Sequence, residues 1–262
     1  MKEAYRLYSD KEPVRREEVQ RIIDEYNDGI RNNRFQRYSH IVDMIPANAG
    51  WVLDYGCGWG CIAKAIAEKG NKVIGIDQFD GAVEIARDFN SHDNVQFVRK
   101  GITEFDDESF DVVNSNQVLE HVHNPGIYLK NVNRVLKDGG YLVVSVPNVI
   151  NFYYFRRQIS RSQTEYFRKI SADVLERYSK DSHHIQGWEP TTFVNLHASL
   201  GFGYVRHRYV EGMYLPYGKC KHVTVPWGGK YYHTRNRWLR NLSFTMIFKF
   251  RKVKFVDIQP ED

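Results

Sequence analysis

The chain has 262 residues, 42% of them hydrophobic and 26% charged, with a formal net charge of +5; this suits one large globular α/β domain with room for an insertion and excludes a disordered or fibrous chain. No run of about 20 apolar residues occurs, so no transmembrane helix is expected, and the polar stretch Met1 to Asp10 has no apolar signal-peptide core. Cys57, Cys61 and Cys220 give neither a disulfide framework nor a C-x-x-C pair, so a reducing, cytoplasmic setting is expected, with Cys57 and Cys61 as small buried residues.

Between Arg15 and Asp28, Val19, Ile22, Ile23 and Tyr26 recur at helical spacing, and a second helix is predicted over Phe35–Ile45, stopped by Pro46. Val52-Leu53-Asp54-Tyr55 then reads as a buried strand running into Gly56-Cys57-Gly58-Trp59-Gly60. A short helix over Ile62–Glu68 ends at Gly70, and Val73–Ile76 forms a second strand that closes on Asp77. A helix over Gly81–Phe89 and strands at Val95–Val98 and Phe110–Asn114 follow. Ile127–Leu136 is read as a helix ending in a turn at Gly139-Gly140, and Tyr141–Val146 as the fifth strand. From Val149 the pattern changes: Asn151–Lys180 is aromatic, basic and helical in character. Thr191–Leu200 is a helix, Gly203–Val210 a sixth strand, Glu211–Arg235 irregular, and Leu242–Phe250 a seventh strand. Continuous apolar strands alternating with helices predict an α/β fold with a parallel sheet covered on both faces. Right-handed crossovers then bring the loops after each strand to one edge, where ligands bind.

A strand, a glycine turn, a helix and a second strand ending in a carboxylate about 20 residues later bind nucleoside-containing cofactors. The dinucleotide pattern G-x-G-x-x-G fails here, because its third glycine falls on Cys61 and the chain closes at Gly60 instead. Asp54, two residues before the first glycine, would repel a pyrophosphate but suits the ammonium of a cofactor with an amino-acid moiety.

The D-x-G-x-G-x-G unit at Asp54–Gly60 resembles motif I of the class I S-adenosylmethionine-dependent methyltransferases. Val118-Leu119-Glu120-His121-Val122, Leu136-Lys137-Asp138-Gly139-Gly140, Val146-Pro147-Asn148, and His184 followed by Pro190 and Leu200-Gly201-Phe202 resemble later segments of that family, in the same order over about residues 50 to 205. The Leu-Glu-His-Val string is especially like the ubiquinone-biosynthesis O-methyltransferases and their small-molecule relatives. The resemblance implies a Rossmann-like methyltransferase fold: a seven-stranded, mostly parallel, doubly wound sheet with N-terminal helices and an inserted or C-terminal cap. It divides the chain into an N-terminal helical lid (1–48), a cofactor-binding core (49–150), a helical cap insertion (151–190) and the remaining strands with a basic aromatic insertion (191–262). S-adenosylmethionine is the implied cofactor. Gly56 and Gly58 would approach it and Asp54 would face its methionine part. Asp77 would hold the ribose hydroxyls, with Gln78 or Phe79 beside the adenine; the alternative for Asp77 is that it merely caps the next helix. Gly101 and Ile102 would line the adenine pocket; many relatives have an Asp where Gly101 stands, and here Thr103 or a backbone carbonyl would substitute. Asn116 and Gln117 would face the transferred methyl.

The resemblance implies O-methylation of a small-molecule hydroxyl: a sugar, nucleotide sugar, glycan unit or aromatic acceptor. A hydroxyl acceptor needs a base, and histidine suits that task because its unperturbed pKa is about 6.5. The candidates are His184, His183 and His121, with His184 preferred, against a reading in which that ring merely packs on Trp188. Glu120 and His121 have a structural alternative as orienters of their loop. No three-ligand metal pattern stands out, so no metal is expected. Tyr153, Tyr154, Phe155, Arg156 and Arg157 suit an anionic or glycosylated acceptor, or else the core of a cap. Cations from Arg206 onward, among them Lys219, Lys230, Arg235, Lys249 and Lys252, face few acids. They suggest an anionic substrate, a peripheral membrane surface or a solvated face. Two alternatives stay open: an RNA or nucleic-acid methyltransferase, disfavoured because Asn114-Ser115-Asn116-Gln117 lacks the amino-methylase pattern and no strong nucleic-acid signal appears, and a non-catalytic cofactor-binding subunit.

Overall fold

The computed structural model describes residues 4–5, 13–150, 164, 184–211 and 243–259. A short antiparallel pair, β1 (Ala4–Tyr5) and β2 (Val14–Arg15), precedes α1 (Arg16–Arg31) and α2 (Gln36–Met44). The alternating part follows: β3 (Trp51–Tyr55), α3 (Cys61–Ala67), β4 (Lys72–Ile76), α4 (Asp80–Phe89), β5 (Val95–Val98), β6 (Phe110–Asn116), α5 (Pro125–Val135) and β7 (Leu136–Pro147). After the described residues resume come α6 (Pro190–Ser199), β8 (Phe202–Val210) and β9 (Thr245–Lys252). Local chemistry sets several of these starts. Pro125 and Pro190 open α5 and α6, and the Asn124 and Glu189 side chains accept from first-turn N–H groups.

The seven strands form one sheet in the order β5-β4-β3-β6-β7-β9-β8. β3, β4, β5, β6 and β7 pair in parallel, and β9 runs antiparallel to both β7 and β8. This is the Rossmann-like methyltransferase sheet expected from the sequence. The strand order reverses between β3 and β6, so the loops following these two strands diverge and leave a crevice at their C-terminal edge.

Alternation of side chains splits the core between the two faces. Leu53, Val113, Leu142 and Val144 pack with Leu129 and Val132 of α5 and Phe193 of α6. Val52, Val112 and Val143 pack with α2, α3 and α4 through Ile41, Met44, Ile62, Ile66 and Val83. A third cluster lays Val19, Ile23 and Ile30 of α1 over Cys61, Ile85 and Phe89.

Four details depart from the sequence reading. The glycine pair Gly139-Gly140 does not make a turn ahead of the fifth strand. β7 begins at Leu136, directly after α5, and absorbs Lys137–Gly140 as an irregularity: Phe110 pairs with Leu136 and Val112 with Tyr141. A side chain at Gly140 would press on the Lys137 and Asp111 carbonyls, at 2.8 and 3.0 Å. Second, α2, expected to pack over the cofactor cleft as part of a lid, lays its apolar face against the flank of the sheet. Third, two of the late cations are interior. Lys249 donates to the Met44 carbonyl at 2.9 Å and Lys252 to that of Leu136 at 2.7 Å, both on β9. Lys69 donates to Val42 and Ile45 and Arg206 to Asp43, so three cations together bond the carbonyls at the C-terminal end of α2. Fourth, the β1–β2 pair has too few residues to show a period. Apart from residue 164, the proposed cap at 151–180, with Tyr153 to Arg157, lies outside the described residues, as does the basic stretch 219–240. Among the described residues, no helix is long and apolar enough to cross a membrane.

Candidate active site

The turn after β3 is clamped from the next strand. Gly56 and Cys57 both donate N–H to the Ile76 carbonyl, at 2.8 and 2.9 Å. Asp77, the first residue past β4, spreads its carboxylate over two amides: Oδ2 accepts from Gly58 N at 2.9 Å and Oδ1 from Phe79 N at 3.0 Å. Burial raises the Asp77 carboxyl, and these N–H groups pull it back. Gly60 then enters α3 with φ +82°. A Cβ there would collide with the Phe97 ring, whereas a Cβ at Gly58 would meet none of the described residues within 4 Å. Gly58 therefore borders open space at the crevice, and Gly60 is closed by the core.

Under the turn, Asp54 is buried, accepting at Oδ1 from Asn114 Nδ2 at 2.6 Å, while Oδ2 has no hydrogen-bond partner among the described residues. Burial pushes its carboxyl up to about 7, opposed by the Asn114 bond. Gln78 is exposed beside Asp77. Gly101 donates its N–H to Glu104 Oε1 at 2.6 Å and opens a single 3-10 turn, Ile102–Glu104. The Ile102 side chain sits in the interior cluster with Leu53 and Leu129, so its backbone alone can reach an adenine. Asn116 accepts from Ser145 Oγ at 2.6 Å. Gln117, with φ +55°, donates its N–H to the Ser145 carbonyl at 2.9 Å. Both residues are half-buried at the C-terminal end of β6.

The two histidines singled out from the sequence meet in space. His121 closes a 3-10 turn, Leu119–His121, just past Gln117, and its ring lies edge-on to His184 with centroids 5.0 Å apart. The approach is enforced by backbone pairing: Ile185 N and Gln186 N both donate to the Glu120 carbonyl, at 2.9 and 3.0 Å. Trp188 turns away into the core against Phe193. His183 lies outside the described residues. Glu120 is 1% exposed, and among the described residues neither of its oxygens has a hydrogen-bond partner. Burial pushes its carboxyl up to about 7, with the Arg37 charge pulling the other way. The sequence pattern predicts no metal, yet Glu120, His121 and His184 each offer a ligand atom within 4.8 Å of the others. Spacing alone hides this set, because its third member is 63 positions from the second. The one signal was the adjacency of an acid and a histidine.

The residues present fit a nucleoside cofactor with an amino-acid tail. There is open space at Gly58, an acid at the end of β4, and a buried acid under the turn with one oxygen unbonded. Comparisons with known proteins agree. The family described as "Methyltransferase domain" matches residues 53–144. The ubiquinone biosynthesis O-methyltransferase of Bradyrhizobium diazoefficiens is 30% identical over 166 residues, spanning 58% of this chain and 66% of that protein. The Pseudomonas paraeruginosa protein of the same name is 26% identical over 175 residues, spanning 57% and 75%. A chain solved in complex with the Haloferax volcanii Trm112 methyltransferase activator shares the fold, with a TM-score of 0.60 at 18% identity over 90% of this chain and 98% of that one. So does an Archaeoglobus fulgidus SAM-dependent methyltransferase, with a TM-score of 0.55 at 19% identity over 84% and 92%. The chain belongs to the class I S-adenosylmethionine-dependent methyltransferases, enzymes whose methyl donor is S-adenosylmethionine.

Proposed function

We propose that this enzyme methylates a hydroxyl of a small-molecule acceptor, with His184 as the base that takes the hydroxyl proton. The observation that carries this reading is the meeting of His121, His184 and buried Glu120 just beyond Asn116 and Gln117. When bound, S-adenosylmethionine supplies a methyl group that is already electrophilic on its sulfonium. The protein's work is therefore to align the acceptor, exclude water and remove a proton. Gly56, Gly58 and Asp54 hold the cofactor's amino-acid end in this reading, Asp77 the ribose hydroxyls, and Gln78, Gly101 and the Ile102 backbone the adenine. Asn116 and Gln117, tied to Ser145, form the floor beside the methyl. His184 is exposed and can receive a proton from an entering acceptor, while His121 flanks it. The relatives named as O-methyltransferases point the same way. Residues 49–150 form the cofactor core in this scheme, and a cytoplasmic setting follows from the cysteine usage.

The Glu120–His121–His184 cluster favours a second reading: a divalent cation held by these three donors, lowering the pKa of an acceptor hydroxyl. The test is methyl transfer to a panel of catechols and nucleotide sugars, read as S-adenosylhomocysteine release. His184→Ala should lower turnover by about 10²-fold or more and leave S-adenosylhomocysteine affinity nearly intact. Wild-type turnover in that variant rejects the base. Activity lost to a chelator and restored by one added cation selects the metal reading.

A further inference from the structure

We propose that Asn27 and Asn90 are positioning residues of the cofactor turn, through which α1 holds the glycine backbone in its binding shape. The proposal rests on the reading that this turn binds S-adenosylmethionine. Asp77 and Ile76 grip the turn from the β4 side at Gly56, Cys57 and Gly58. Beyond Gly58 the next fixed point is the Trp59 carbonyl, and among the described residues one side chain holds it: Asn90 Nδ2, at the end of α4, donates to Trp59 O at 2.7 Å and contacts Cys61 Sγ at 3.4 Å. Asn90 is fully buried. Its other end accepts from Asn27 Nδ2 of α1 at 2.8 Å.

The direction of this relay is forced. A carbonyl can only accept, so the Asn90 amide must turn its NH₂ toward Trp59 and its oxygen away; that oxygen then requires a donor, which Asn27 supplies. The pair lies inside the apolar layer of Ile23, Ile30, Ile85 and Phe89, where an unmade hydrogen bond is costly and a wrongly turned amide is excluded. Tyr26, beside Asn27, meets the Trp59 ring at 6.4 Å, a second contact from α1 to the same residue of the turn. The N-terminal helix thus does more than cover the domain, because it fixes the outer half of the loop whose inner half Asp77 fixes. Coupling of this kind is reciprocal: cofactor that needs the turn in this shape must also tighten α1.

The fold contains its own control. Asn71 is another fully buried asparagine at a chain reversal, with three bonds: its Oδ1 accepts from Ala49 N at 2.7 Å, and its Nδ2 donates to Pro46 and Ile66 carbonyls at 3.1 and 3.0 Å. It precedes β4 and so serves the sheet edge opposite the crevice.

The experiment titrates S-adenosylhomocysteine by calorimetry into full-length wild type, Asn27→Leu, Asn27→Asp, Asn71→Ala and Asp77→Ala, with a thermal melt of each. Asn27→Leu should weaken binding about fivefold, the effect of one ordinary hydrogen bond. Asn27→Asp should weaken it more, because an acceptor at position 27 turns the Asn90 amide around and sets its oxygen against the Trp59 carbonyl. Asn71→Ala should lower the melting temperature and leave affinity within twofold. If Asp77→Ala binds weakly while both Asn27 variants bind like wild type, the relay is overturned and the cofactor site stands. If Asn71→Ala weakens binding as much as Asn27→Leu, the effect is general destabilisation and the proposal fails. If Asp77→Ala also binds like wild type, the turn is not the cofactor site and both readings fall. Hydrogen exchange on wild type gives a readout free of mutation: saturating S-adenosylhomocysteine should slow the amides of α1 around Asn27, and unchanged exchange there overturns the coupling.

Discussion

Gly58 and Gly60 both have positive φ in the same turn, but an added methyl meets opposite surroundings at the two positions, so a pair of alanine substitutions separates cofactor binding from folding. Gly58 has φ +52° and, among the described residues, no heavy atom within 4 Å of a built Cβ. Gly58→Ala carries only the left-handed backbone strain of a non-glycine residue, roughly 1–2 kcal/mol, or a loss of about 2–8 °C in Tm for a chain of this size. Its methyl would project into the crevice, and crowding a ligand of fixed shape by one carbon typically costs about 1–3 kcal/mol. S-adenosylhomocysteine affinity should therefore fall between about five- and a hundredfold. Gly60→Ala carries the same strain at φ +82° and adds a collision with the Phe97 ring and close contact with Ala86. It should melt roughly 5–15 °C below wild type because the damage is to the core. Calorimetry and a thermal melt on the two variants read both quantities. Gly58→Ala binding with wild-type affinity would refute the placement of the cofactor against this turn.

Asp77→Ala removes the acceptor for Gly58 N and Phe79 N and should weaken S-adenosylhomocysteine at least tenfold by calorimetry. Glu120 has a folded pKa raised from 4.5 to about 7, so its contribution to stability is full below about 4.5 and is lost as pH rises through about 7. Glu120→Gln should therefore melt higher than wild type at pH 8, by at most about 3 kcal/mol, and equal to it at pH 4.5; equal melts at pH 8 would mean the acid is hydrated or paired. Lys249 shifts the opposite way, its folded pKa lowered to about 8 by burial and by the nearby Arg206 and Lys69 charges. Its charged form burdens the fold most below pH 8, so the stability of wild type relative to Lys249→Met should rise between pH 7 and 9.5, as read by paired melts.

The turn proposed to hold the cofactor was legible in the sequence because its determinants are local. A strand, two glycines and an acid at fixed offsets survive any detail of packing, and Asp54, Gly58 and Asp77 stand where that pattern sets them. The histidine pair proposed for the acceptor was legible only as separate fragments. His121 and His184 could each be named, but their meeting depends on two backbone hydrogen bonds to the Glu120 carbonyl, which no spacing rule encodes. Lys249 and Lys252 misled for a related reason. On a strand a lysine reads as a solvent-facing residue, and only the tertiary position of the α2 and α5 ends shows carbonyls waiting for an ammonium. Gly139-Gly140 misled because a glycine pair signals a break in either a turn or an irregular strand, and pairing with β6 decides which.

The cations gathered at the end of α2 bear on how this enzyme can be cut. Residues 53–144 carry the recognisable domain, but starting an expression fragment at Trp51 and keeping β9 would strip Lys69 and Lys249 of the carbonyl oxygens they bond. Charged amines would then face an apolar flank laid bare by the missing helix. Such a fragment should aggregate, and the minimal soluble unit must begin upstream of Gln36.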